Sequence, residues 1–351
     1  MRRILLLLLI ALSSEVAVSQ SKKGTLITDV FTSEILKENK IGLDVARKVK
    51  IYLPANYENS KRRYPVVYFL HNIFWDNERM FEDGRIAALI NRAWSEGEIG
   101  EFIFVVPDYR TLTTGSLYDN SPVTGRWLDH TINEIVPYID KKYRTIAKKE
   151  SRAITGEFMG GRGALKFAIT RPDVFNVVYA MNPVATGMGP LPWAYSRIDW
   201  KKLYEAKSFP PHELDGITQI FLSVCQTYLP NVNNPPLYCD FFVDEINGDY
   251  RINAEKTTKT RTGFLINEDL KDHLDNLRSL KGIAFDWARF DPTFAHVDSN
   301  RAFSAALQDL GITHEADEFA GGTVDKLWTD DGRFYSHVLP FIAKKIEFEE
   351  K

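Results

Sequence analysis

What is scarce in this sequence is informative first. Two cysteines stand in 351 residues, Cys225 and Cys239, with no C-x-x-C pair and no histidine beside either, which argues against dithiol redox and zinc chemistry. The seven histidines form no H-x-x-H or H-E-x-x-H spacing, so no metal site is expected, and nothing calls for a cofactor. Neither sign of charge dominates: 44 Lys and Arg against 47 Asp and Glu leave a net charge of −3, without the basic footprint of a nucleic-acid binder. Repeats and low-complexity stretches are absent, and 44% hydrophobic residues with 21 Gly and 16 Pro are ordinary globular proportions.

Long apolar runs are missing as well. The one run of note, Ile4–Leu12, is too short for a bilayer span, which takes about 20 residues. It follows Arg2 and Arg3 and leads to Ala17-Val18-Ser19, the charged, apolar and small-residue sequence of a signal peptide over 1–19. A secreted or periplasmic protein without a stable membrane anchor is therefore expected. In such a compartment Cys225 and Cys239 are either one disulfide or two buried thiols, and the sequence leaves both open, as it does oligomeric state.

What is present is an alternation of strands and helices. Thr25–Val30 and Ala46–Leu53 read as strands, and Tyr64–His71 and Phe102–Pro107 are continuous apolar runs of the kind buried on both faces. Helical periodicity covers Met80–Trp94 and Trp127–Tyr143. The short strand Ala153–Thr155 runs into a glycine-rich turn and a helix to Thr170, stopped by Pro172. Val177–Met181 and Ile283–Asp286 are further strands, with helices over Asn300–Leu310 and Arg333–Ile346, the last kinked at Pro340. This rhythm predicts an α/β fold with a mostly parallel central sheet flanked by helices. Residues from about 183 to 280 break it with Leu229-Pro-Asn-Val-Asn-Asn-Pro-Pro-Leu237 and read as an irregular lid.

Chemistry is expected at the turn Gly156-Glu157-Phe158-Met159-Gly160-Gly161-Arg162-Gly163-Ala164. Strand, sharp turn and helix follow one another there, with small residues where the helix must approach the sheet. That is the setting of the G-x-S-x-G nucleophile elbow, with Phe158 at the serine position. The segment Gly160-Gly161-Arg162-Gly163 lacks the Lys-Ser/Thr ending of a phosphate loop.

Taken in order with Val49-Lys-Ile-Tyr-Leu-Pro54, Phe285–Asp291, Gly311-Ile-Thr-His-Glu315 and Val338-Leu-Pro-Phe341, these segments make the chain resemble the esterases of the esterase D, feruloyl esterase and antigen 85 group. The resemblance implies an α/β-hydrolase domain over 24–347 with a lid-like insertion at about 183–280. It also implies triad-equivalent positions: Phe158 for the nucleophile, Asp291 for the acid with Asp286 its competitor, and Thr323 of the Gly321-Gly322-Thr323 turn for the base. His71, Asn72 and Met159 match the residues around the oxyanion hole, where backbone N–H groups do the work.

Two of the three triad positions carry no such chemistry. No Ser or Cys lies between Ser151 and Ser196 and no His between His314 and His337, so a shift in register restores neither. The implied function is that of a secreted esterase-family protein that has lost serine-hydrolase catalysis and keeps a pocket for an ester, an acylated sugar or a protein partner. Two alternatives stand beside it. One is a working carboxylic-ester hydrolase with an unrecognised nucleophile, built around His71, Glu157, His296 or His337. The other is a structural or interaction module with no ligand pocket. Trp127, Trp193 and Trp328, at loops or element ends, are candidates for a carbohydrate-stacking platform, although most aromatics in a chain of this size belong to the core.

Overall fold

Five consecutive apolar residues, Val66–Leu70, form a strand buried on both faces, and the sheet is built outward from it. The computed structural model describes residues 23–187 and 196–349, so the leader read at 1–19 and Trp193 lie outside the described residues. The strands are β1 (Thr25–Thr32), β2 (Ala46–Leu53), β3 (Val66–Leu70), β4 (Ile103–Pro107), β5 (Arg152–Glu157), β6 (Val177–Met181), β7 (Gly282–Ala288) and β8 (Glu315–Phe319). They make an 8-stranded sheet in the order β1-β2-β4-β3-β5-β6-β7-β8. β2 runs antiparallel to β1 and β4, and every pair from β4 onward is parallel.

The helices that matter for the site are α1 (Arg85–Glu96), α2 (Val136–Lys142), α3 (Met159–Thr170), α4 (Gly216–Tyr228), α5 (Ala254–Phe264), α6 (Phe294–Asp309) and α7 (Leu339–Lys345). One core packs on each face of the sheet: Tyr68, Ile154, Leu165 and Phe285 on one, Phe69, Phe104, Met181 and Phe334 on the other. Among the described residues no helix is long and apolar enough to cross a membrane.

Local departures from the sequence reading have identifiable causes. The helix expected over Met80–Trp94 is divided at Gly84, whose φ of 68° ends Arg79–Glu82 and starts α1. Pro137 and Pro340 each follow a π turn, Thr131–Ile135 and Phe334–Val338. The N–H groups of Val136 and Leu339 reach back to Thr131 and Phe334, which accommodates a proline ring that lacks an N–H of its own. The edge strand β8 was absent from the reading because Glu315, Ala316 and Asp317 are exposed and give no apolar alternation.

The insertion at 183–280 contributes α4, α5 and a small hairpin of Val243–Ile246 with Asp249–Ile252. Its residues Phe221, Leu222, Val224 and Phe264 join the core that contains Tyr68 and Leu165. Arg162, fully buried on α3, fastens the two parts together. Its guanidinium donates to Phe264 O at 2.8 Å, Leu117 O at 3.0 Å, Tyr228 Oη at 3.0 Å and Asp119 Oδ2 at 2.8 Å. Cys225 and Cys239 are both buried and unbridged, the thiol alternative of the two left open by the sequence.

Candidate functional site

At the end of β5 the chain turns into α3 through one residue. Phe158 holds φ 52° and ψ −114°, a region that costs a non-glycine residue about 1–3 kcal/mol. Its N–H donates to Met181 O at 3.0 Å, which locks the turn to β6. The glycines on either side are required sterically. A Cβ on Gly160 would lie 2.0 Å from Leu70 O, and one on Gly156 would lie 2.5 Å from Gly160 O. The strained elbow is therefore intact as backbone, and a phenyl ring occupies its apex.

That ring helps line a cavity of about 720 Å³ above the C-terminal ends of the central strands. Phe74, Trp75, Phe221, Phe264 and Trp328 supply other aromatic walls, with Phe221 and Phe264 coming from the insertion. Met159 lines the cavity with Asn72 and Ile73. The first N–H groups of α3 have no partner within the helix, as at any helix start, so backbone donors stand at the elbow. Asn72 is held rigidly: its Oδ1 accepts from Phe74 N at 2.9 Å, and its Nδ2 donates to Glu157 Oε1 at 2.8 Å.

His71 is placed differently. It is fully buried, does not line the cavity, and accepts Tyr109 N–H on Nε2 at 3.0 Å. Nδ1 then carries the proton and donates to Asn72 O at 2.8 Å. Burial lowers the ring's proton affinity, so it stays neutral and acts as a brace under the loop.

Glu157, the residue before the elbow, also belongs to this wall. It is 1% exposed, lines the cavity, and takes a second hydrogen bond on Oε2 from Trp328 Nε1 at 3.0 Å. Both donors are neutral. Burial pushes its carboxyl up to about 7, and the two hydrogen bonds only partly offset that. The sequence reading ends this strand at Thr155 and places Glu157 in the turn as a candidate for an alternative catalytic arrangement; the structure extends the strand to Glu157 and buries it along its whole length.

The two candidate acids separate clearly. Asp286 is fully buried and bound to Arg333 Nε at 2.8 Å and Tyr179 Oη at 2.9 Å, a network that ties β7 to β6 and the C-terminal helix. Asp291 lies past the end of β7, and its Oδ1 accepts from Thr293 N at 2.7 Å. Its Oδ2 meets His296 Nδ1 at 3.1 Å, and His296 lines the same cavity as Phe158. Thr323 does not line the cavity, although its neighbour Val324 does. Its carbonyl accepts from Asn182 Nδ2 at 2.7 Å, and its hydroxyl is buried without a partner among the described residues. Asp291 is thus paired with a histidine from the first turn of α6 and not with a residue of the loop after β8.

His337 stands apart, with Nε2 against Arg333 Nη1 at 2.9 Å. Trp127 is a core side chain at 1% exposure, so of the two candidate stacking tryptophans among the described residues Trp328 is the one at the cavity. Among the described residues no three His, Cys, Asp or Glu side chains converge as a metal site would require.

Comparison with known proteins follows the same outline. Residues 42–228 match the sequence model of a family described as "Putative esterase". An esterase of Mycobacterium tuberculosis is 35% identical over 122 residues, 34% of this chain and 25% of that protein. An endo-1,4-beta-xylanase/feruloyl esterase of Xylanibacter ruminicola is 30% identical over 131 residues, 36% of this chain and 18% of that protein. The chain thus matches a quarter or less of the length of these relatives. In fold it is similar to a ferulic acid esterase, with TM-score 0.63, 21% identity, and 92% of this chain and 99% of that one covered. An S-formylglutathione hydrolase from Agrobacterium tumefaciens superposes with TM-score 0.59 at 14% identity, covering 93% of this chain and 97% of that one.

Proposed function

From the premise that this chain belongs to the esterase family, we propose that it is an exported member that binds an ester or a related acylated small molecule without forming an acyl-enzyme. The observation that carries this is the strained elbow with Phe158 at its apex, its ring lining a cavity that a substrate would otherwise fill. A phenyl ring has no atom that can attack a carbonyl. The cavity's predominantly aromatic and aliphatic lining suits an apolar acyl or aryl group, and the backbone donors near Met159 suit its carbonyl oxygen. Trp328 is available for stacking on a sugar ring if the ligand is an acylated carbohydrate.

One specific observation supports a second reading. The Asp291–His296 pair at the cavity wall has the arrangement of a base and its orienting acid. With water as nucleophile, His296 would take the proton as oxygen bonds to the acyl carbon. It would return that proton to the leaving alkoxide as the ester C–O bond breaks. This route needs no covalent intermediate.

The two readings part in one experiment, a panel of 4-nitrophenyl esters offered to the purified protein. Binding, followed as a saturable change in tryptophan emission with no nitrophenol released above the buffer rate, is the result expected for the first. Steady, burst-free release that disappears in His296→Gln is the result expected for the second. A stoichiometric burst of nitrophenol overturns both, because it requires an acyl-enzyme. Export is part of the proposal, and N-terminal sequencing of the protein from its host tests it: a chain beginning at Gln20 supports it and an intact Met1 overturns it.

A further inference from the structure

Glu157, named from the sequence as a candidate for an alternative catalytic arrangement, has no part in either reading of the function. It takes no part in an esterase mechanism, and its two hydrogen-bond donors, Asn72 and Trp328, are uncharged. Among the described residues it is the one carboxylate lining the cavity. A buried carboxylate with no cation beside it is costly, and proteins normally supply a partner or let the group hold a proton. The surroundings supply none. Tyr118 lies close enough to feel its charge but uses its hydroxyl on His71 O. Arg85, the cation that lines the cavity, lies near Asp83 at 3.7 Å, and the His296 ring is paired with Asp291. The walls meanwhile present the rings of Phe74, Trp75, Phe158, Phe221, Phe264 and Trp328. Aromatic faces attract an organic cation and repel an anion.

We infer that the cavity is a binding site for an organic cation, an amine carried on an apolar or aromatic body, with Glu157 as its counter-ion. This rests on the reading of the cavity as a ligand site and narrows the ligand's chemistry. The rings take the apolar body, and the ammonium group replaces the proton that Glu157 otherwise holds. Asn72 and Trp328 fix the carboxylate from the protein side, leaving its remaining lone pairs for the incoming N–H donors.

A matched pair of probes tests this, 2-naphthylmethylamine as the cation and 2-naphthylmethanol as its neutral isostere. Calorimetric titration of the wild type at pH 8 is expected to show the amine binding at least tenfold more tightly than the alcohol. In Glu157→Gln that preference should vanish while alcohol affinity is kept. The wild type at pH 5 should behave like the variant, which guards against a folding defect in the substitution. Because the Glu157 carboxyl sits at about 7, the amine's affinity should rise about tenfold from pH 6 to pH 8, with protons released on binding. Equal affinity for the two probes in the wild type overturns the inference while leaving the ligand site standing. A preference that survives in Glu157→Gln overturns the role of Glu157. Failure of both probes to bind overturns the ligand reading of the cavity and this inference with it.

Discussion

The two ends of the cavity are built in opposite ways. At the elbow end the backbone holds strained dihedrals at Phe158, with glycines that let α3 touch β3, and the side chain at the apex is a phenyl ring. At the acid end stands a hydrogen-bonded Asp291–His296 pair, with the histidine on α6 and not on the loop that holds Thr323. The elbow end is also the rigid one, braced by the fully buried Arg162 and Glu157, whereas the His296 side chain is 29% exposed. The difference teaches that fold geometry and chemistry are separable. A turn packed from every side keeps its shape whatever side chain stands at its apex, because the surrounding core depends on that shape.

That contrast makes quantitative predictions, and the largest falls behind the elbow. Arg162→Met should cost about 3–5 kcal/mol in denaturant unfolding, because it leaves Asp119 buried without its guanidinium partner. A loss within about 1 kcal/mol would show that the insertion is not fastened to the elbow through this residue.

Glu157→Gln comes next and has a pH signature. A carboxyl raised from 4.5 to about 7 in the folded state binds its proton more tightly there than in the unfolded chain. Its stabilising contribution is complete below pH 4.5 and is lost as pH rises through 7. The variant should therefore unfold with a free energy of order 3 kcal/mol above the wild type at pH 8, and close to it at pH 5. An advantage that does not change with pH would mean that Glu157 is not protonated in the native protein near neutrality.

The smallest effect belongs to the acid end. Asp291→Ala should change unfolding free energy by no more than about 1 kcal/mol, as a partly exposed pair contributes little. A cost as large as that of Arg162→Met would abolish the contrast between a rigid and a pliant end.

How much of this was legible in the sequence depended on burial. The central strands Val66–Leu70, Ile103–Pro107 and Val177–Met181 announce themselves as unbroken apolar runs because helices cover both their faces. The elbow was legible for the same reason, its glycines being forced by backbone contact. The edge strand Glu315–Phe319 was not, since it has one neighbour and mostly exposed side chains. The meeting of His296 with Asp291 was also hidden. It depends on α6 starting at Phe294, where Phe294 itself is exposed and gives no inward apolar signal, so the periodicity becomes readable only from Asn300. Asp286 and Asp291 are equivalent in spacing terms. Only the position of Arg333, far along the chain, assigns the first to the framework.

On the function proposed above, the elbow lacks a nucleophile at Phe158, and the Asp291–His296 pair stands where Thr323 supplies no base. Intact-mass analysis after treatment with a serine-directed fluorophosphonate tests it most directly, in the wild type, Phe158→Ser and Phe158→Ser/His296→Gln. The account predicts no adduct on the wild type and one adduct on Phe158→Ser. It also predicts labelling slowed about a hundredfold when His296 is removed from that variant, as loss of a general base should do. A stoichiometric adduct on any single side chain of the wild type would contradict it and would identify the nucleophile.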